Sequence, residues 1–130
     1  MKTLYFITDS TKYDDEEDFF ADVFAALRGG VDLIQLREKE LSDEEVYARA
    51  LRIKKEADKY DTPLIIDDRV DVAKKLGVGV HLGDDDMTVK EARAILGENA
   101  LIGASVKTVE RAKEAEAEGA SYFGTGALFP

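Results

Sequence analysis

Cysteine is absent from this sequence of 130 residues, and histidine occurs once, as His81. The first absence excludes disulfides, thiolate metal sites and cysteine nucleophiles, and the second removes histidine-rich zinc sites. Proline occurs twice, and no Pro- or Ser-rich stretch marks a linker between domains. Basic residues are outnumbered: 18 Lys plus Arg stand against 28 Asp plus Glu, for a net charge of −10. That balance excludes non-specific binding to nucleic acid or to an anionic membrane, because both rely on a basic footprint. An anionic substrate would need a few placed cations, or a metal, to hold it against this field. No apolar run approaches the ~18 residues of a membrane span. The N-terminal stretch reaches Asp9 too early for a signal peptide, so the cytosol is the expected compartment.

Apolar residues make up 45% of the chain and charged residues 35%, which suits a single folded domain over residues 1–130. Short apolar runs alternate with longer amphipathic ones. Strands are expected at Leu4–Thr8, Val31–Arg37, Leu64–Asp67, Val78–Leu82 and Leu101–Ser105, with a sixth opening at Tyr122–Thr125. Between them, Asp14–Arg28 carries a helical stripe (Phe19, Phe20, Val23, Phe24, Leu27) and stops at Gly29-Gly30. Ser42-Asp43-Glu44-Glu45 is a capping box whose helix runs to about Tyr60, and Thr88-Val89-Lys90-Glu91 is a second, with its helix stopping at Gly97. Short helices at Val70–Leu76 and Val109–Glu118 complete the alternation.

Connections of this length cannot be hairpins, so the strands should be parallel and joined by right-handed crossovers. Periodicity alone leaves an open sheet and a barrel as alternatives, and the strand exits separate them. Gln35/Arg37/Lys39, Asp67/Asp68/Arg69, Asp84/Asp85/Asp86 and Ser105/Lys107/Thr108 follow four successive strands. Chemistry in α/β folds sits at the carboxyl ends of strands, and several exits feeding one site suit a barrel. No G-x-G-x-x-G or P-loop follows the first strand. The exits therefore favour an α/β fold with a parallel (β/α) barrel, of which this chain supplies about six strands and five helices.

Within Val31–Lys39, strand alternation places Leu33, Gln35, Arg37 and Lys39 on one face and Ile34 and Leu36 on the other. Two cations and an amide on one strand end make a clamp for a diphosphate; the plainer reading is a solvated strand end paired with Glu38 and Glu40. One acid from each of the third and fourth exits could share a hard cation, with Mg²⁺ the natural choice for carboxylates without Cys. The plainer reading here is helix capping by Asp86 or Thr88. His81 reads as a core or supporting residue and stays outside the expected site. The glycine-rich segment Phe123–Ala127 either brings backbone N–H groups to a ligand or packs tightly.

Taken together, Leu4–Asp9, Gly29–Lys39 with Q-L-R-E-K, Leu64–Val72 with I-I-D-D-R-V-D, Gly79–Gly83 followed by Asp86, Ile102–Ser105, and Gly119–Pro130 ending in L-F-P occur in a distinctive order. In these motifs the sequence resembles the thiamine-phosphate synthase (thiamine-phosphate pyrophosphorylase) family. The resemblance implies a TIM barrel and a transferase of thiamine biosynthesis. It would join hydroxymethylpyrimidine diphosphate to thiazole phosphate with Mg²⁺, releasing pyrophosphate. It implies that Gln35, Leu36, Arg37, Glu38 and Lys39 grip the pyrimidine diphosphate, with Arg37 and Lys39 on the phosphates. Asp67 and Ser105 would also bind substrate, and Asp68 and Asp86 would hold Mg²⁺. No residue is assigned as an acid or base, because ionisation to a pyrimidine methyl cation needs a neutralised leaving group first.

Three positions depart from the family pattern: Asp67 stands for a usual Asn, Asp84 for Gln and Lys107 for His. The last counts against a thiazole tautomerase-like isomerase, which remains one alternative. The family pattern continues past F-P with further β/α units, so truncation after the sixth strand is expected. The second alternative is accordingly a non-catalytic fragment. Open sheet edges then predict a homo-oligomer.

Overall fold

A computed structural model describes residues 4–83, 87–105 and 109–124. Two compact units, Met1–Ile66 and Asp67–Pro130, divide the chain. In the first, β1 (Tyr5–Ile7), β2 (Leu33–Leu36) and β3 (Leu64–Asp67) pair in parallel in that order. Tyr5 lies opposite Leu33 and Ile7 opposite Gln35, which in turn lies opposite Ile65. These residues therefore share one sheet face, and Ile34, Leu36, Leu64 and Ile66 share the other.

Helices α1 (Glu16–Arg28) and α2 (Asp43–Ala57) pack against each other. α1 buries Phe19, Phe20, Val23 and Leu27, and α2 buries Val46, Ala50, Ile53 and Ala57. Spacings of three and four put each set on one helix face. Arg52 ties the pair together at the surface: its guanidinium lies 3.9 Å from the Phe20 ring centroid and donates to both Glu17 carboxylate oxygens at 3.0 and 3.1 Å. The expected capping box of α2 is present, with Ser42 Oγ accepting from the Glu45 N–H and Glu45 reaching back. α2 ends earlier than its periodicity suggests. A 3-10 turn covers Asp58–Tyr60, and Asp61 closes it in the left-handed region at φ 53°. A second 3-10 turn, Ser10–Lys12, follows β1 and is capped by Asp9.

In the second unit, β4 (Gly79–Leu82), β5 (Ile102–Ser105) and β6 (Tyr122–Gly124) pair in parallel in order. Helices α3 (Val70–Leu76), α4 (Val89–Leu96) and α5 (Val109–Ala117) complete the alternation. Its core includes Val70, Val72, Ala73, Val80, Leu82, Ala92 and Ile102. Gly77 stops α3 with φ 71°, a conformation that costs glycine little. Thr88 and Glu91 form the second capping box. Among the described residues no helix is long and apolar enough to cross a membrane.

Arg93 braces the loops of this unit. One guanidinium nitrogen donates to the carbonyls of Gly97, Glu98 and Ala100 at 3.0, 3.2 and 2.6 Å, and the other donates to the Gly119 carbonyl. A Lys ammonium at that position offers three donors from a single point and cannot reproduce the fork. Arg93→Lys should therefore cost about 0.5–1.5 kcal/mol through the lost hydrogen bonds, read as a lower midpoint in urea denaturation.

Candidate functional site

The polar exits of the first unit are stitched together before any ligand is considered. The Thr8 N–H donates to the Gln35 carbonyl at 2.9 Å, and Thr8 Oγ1 accepts from the Arg37 N–H at 3.0 Å. Thr8, buried at 2% exposure, thus fixes the backbone from which Arg37 projects. A cleft of about 190 Å³ opens there, lined by Thr8–Thr11 and Arg37–Leu41. Arg37 and Lys39 are exposed, and Gln35 is buried at the end of β2. Leu36 is fully buried, so only its main chain can face a ligand.

Glu38 lies between the two cations in sequence but is anchored elsewhere. Its side chain is 4% exposed, accepts a 2.6 Å hydrogen bond from Ser10 Oγ, and pairs with Arg49 of α2 at 3.4 Å. Continued alternation puts Glu38, one of the residues expected to grip the diphosphate, on the helix-facing side with Ile34 and Leu36. With Glu38 drawn inward, its neighbours Arg37 and Lys39 are directed the other way. Asp9, across the cleft, has its carboxyl held below the ordinary aspartate range, mainly by the Thr11 hydroxyl, with Lys12 and Arg37 adding electrostatic support. Thr8, Asp9, Ser10 and Thr11 were not among the expected site residues. The strand-exit rule, applied to the first strand as well as to the later four, would have found them.

In the second unit, Asp67 ends β3 and Asp68 follows in the left-handed region at φ 69°. The Asp68 N–H donates to the His81 carbonyl at 2.8 Å, and the Asp68 carbonyl accepts from the Val70 N–H at 2.9 Å. Non-glycine residues in this conformation are uncommon and cluster at functional positions. Ser105 closes β5, and its Oγ lies 2.6 Å from His81 Nε2. His81, which sequence reasoning set aside, is therefore in contact with two expected site residues. Asp86 lies outside the described residues, as do Asp84, Asp85, Lys107 and the segment from Thr125 onward. Among the described residues no group of three or more His, Cys, Asp or Glu side chains gathers to hold a metal.

In each unit the polar cluster lies at the carboxyl ends of that unit's own parallel strands, where α/β folds place their chemistry. The family model of thiamine monophosphate synthase matches residues 4–130. The chain belongs to this family. It is 47% identical over 129 residues to thiamine-phosphate synthase 2 of Streptococcus pneumoniae, covering 98% of this chain and 60% of that protein. It is 45% identical over 127 residues to thiamine-phosphate synthase of Clostridium acetobutylicum, covering 97% and 60%. The solved structure of thiamine phosphate pyrophosphorylase from Pyrococcus furiosus superposes with a TM-score of 0.86 at 40% identity, over 98% of this chain and 61% of that one. The fold class is accordingly an incomplete barrel of TIM type, and the chain spans about 60% of the length of these relatives.

The Glu38 anchor gives a stability prediction. Glu38→Ala leaves Arg49, itself only 15% exposed, with Glu16 at 3.8 Å and the Phe19 ring, and should cost about 1–3 kcal/mol in urea denaturation. Glu38→Gln, which can still accept from Ser10, should cost less than half of that.

Proposed function

We propose that this chain carries the pyrimidine-diphosphate and Mg²⁺ portion of a thiamine-phosphate synthase site. The reaction is a transfer: hydroxymethylpyrimidine diphosphate couples to thiazole phosphate, giving thiamine phosphate and pyrophosphate. The observation that carries this reading is the match to thiamine-phosphate synthases over nearly the whole chain. The cleft beneath Arg37 and Lys39 supports it.

Each residue then has a task. Arg37 presents a planar fork to the diphosphate and Lys39 a point charge, while Gln35 and the main chain at Leu36 orient the pyrimidine end. Glu38 holds the pair of cations in place from behind. Asp67 and Ser105 contact substrate, and Asp68 with Asp86 would hold Mg²⁺. The donor set fits that ion: the site offers carboxylate oxygens, and Mg²⁺ ordinarily takes one or two of them together with waters and substrate phosphates. A Mg²⁺ held by these carboxylates would supply positive charge for the departing pyrophosphate. The pyrimidine methylene carbon loses that leaving group as the C–O bond breaks, and the thiazole nitrogen supplies the electron pair of the new C–N bond. Residues 1–130 act as one partial-barrel domain in a cytosolic setting.

Product formation tests this directly. With both substrates, mass spectrometry should detect thiamine phosphate only when Mg²⁺ is present. EDTA should abolish it, and Arg37→Ala or Asp68→Ala should lower the rate about 10²–10³-fold. A tautomerase would proceed in EDTA, and a non-catalytic fragment would give no product under any condition.

Self-association belongs to the same proposal. Among the described residues β1 pairs with β2 alone, and Leu4, Tyr5 and Ile7 are 59%, 47% and 55% exposed. An edge strand with exposed apolar side chains recruits another strand. Light scattering should give a mass of at least about twice the 14.4 kDa chain; a concentrated, stable monomer would refute it.

A further inference from the structure

We propose that His81 is a positioning residue for this site, with its Nε2–H donating to Ser105 Oγ so that the Ser105 O–H points at the bound diphosphate substrate. The inference rests on the reading of Ser105 given above and adds a residue to which that reading gives no task.

The register of the second unit supplies the geometry. His81 on β4 lies opposite Gly103 on β5, and Ser105 follows two residues later on the same face. Gly103 has no side chain to stand between them. The imidazole leans across that gap and brings Nε2 to 2.6 Å from Ser105 Oγ. His81 is 8% exposed, so this contact is made largely out of water, where a polar pair matters most.

The chemistry follows from the hydrogen-bonding capacity of each group. A serine hydroxyl has one proton and two lone pairs, and alone it rotates among several directions. When Nε2–H donates to one lone pair, the hydroxyl proton is left to be given elsewhere, and the acceptor that suits it is an anionic oxygen. Reversing the roles would consume that proton and turn lone pairs toward the ligand, which repels a diphosphate. The main chain of His81 acts separately, because its carbonyl accepts the Asp68 N–H at 2.8 Å and supports the left-handed turn that aims Asp68. A side-chain substitution leaves this second contact in place, so the role of the imidazole can be tested alone.

His81 is the sole histidine, so its ring nitrogens give the only imidazole signals in a long-range ¹H–¹⁵N spectrum. The expected result is a protonated, pyrrole-type Nε2 whose resonance moves in Ser105→Ala. A pyridine-type Nε2, or a resonance indifferent to Ser105→Ala, overturns the proposal. Calorimetric titration with hydroxymethylpyrimidine diphosphate and Mg²⁺ is the second arm. His81→Ala and Ser105→Ala should each weaken binding about tenfold, the loss of one hydrogen bond to a charged group. The double variant should lose about tenfold rather than a hundredfold, because one residue acts through the other. His81→Gln, whose amide can donate from a similar position, should recover most of the affinity and guards against a folding defect in the alanine variant. Wild-type binding with His81→Ala unaffected, or losses that multiply, overturns the positioning role alone. Absence of wild-type binding overturns the reading of the site and this inference with it.

Discussion

Parallel pairing obliges each strand of β1–β3, and of β4–β6, to leave its sheet at the same end and return through a helix. Everything functional in the chain depends on that constraint. It collects strand exits at one end of each unit, and it divides every strand into a face for helices and a face for the site. In the first unit the helix face is filled by Ile34, Leu36, Leu64 and Ile66. The opposite face leads through Gln35 to the exposed Arg37 and Lys39. A register slip of one residue would exchange the two sets and destroy core and site together. The buried apolar face of β2 and β3 therefore protects the placement of the cations as much as the stability of the sheet.

Most of this architecture is legible in the sequence because its signals are local. Ser42 with Glu45 and Thr88 with Glu91 announce their helices within four residues, and both boxes form. The apolar stripe of α1 is equally local, and four of its five expected members are buried; Phe24 sits at the margin. The end of α2 is less legible. Its apolar spacing runs on, but the backbone tightens after Ala57 and turns left-handed at Asp61, where the following strand must begin. Tyr5 and Ile7 look like core residues by composition and are half exposed, because burial of a strand depends on what lies over its face and not on its own sequence.

Glu38 and His81 show why parts of the site resist sequence reading. The direction of each is available from alternation alone: Glu38 continues the Ile34–Leu36 face, and His81 opposes Val80 and Leu82. Their partners are not available. Arg49 lies eleven residues away on another helix, and Ser105 lies 24 residues away on another strand. Only the strand register and the helix orientation bring them together, and neither is written in any short motif. Polar residues on strands therefore read as ambiguous one by one, while their roles emerge in pairs.

The charge balance raises one last physical question, how an acidic protein of net charge −10 would hold the diphosphate proposed above. At physiological ionic strength charges are screened over about 8 Å, so the residues lining the cleft decide, not the total. Three acids line it alongside Arg37 and Lys39: Asp9, Glu38 and Glu40. The carboxylate of Asp9 accepts from the Thr11 hydroxyl, and that of Glu38 is taken up by Ser10 and Arg49. Hydroxyl donors and a second arginine thus disperse the negative charge nearest the cations.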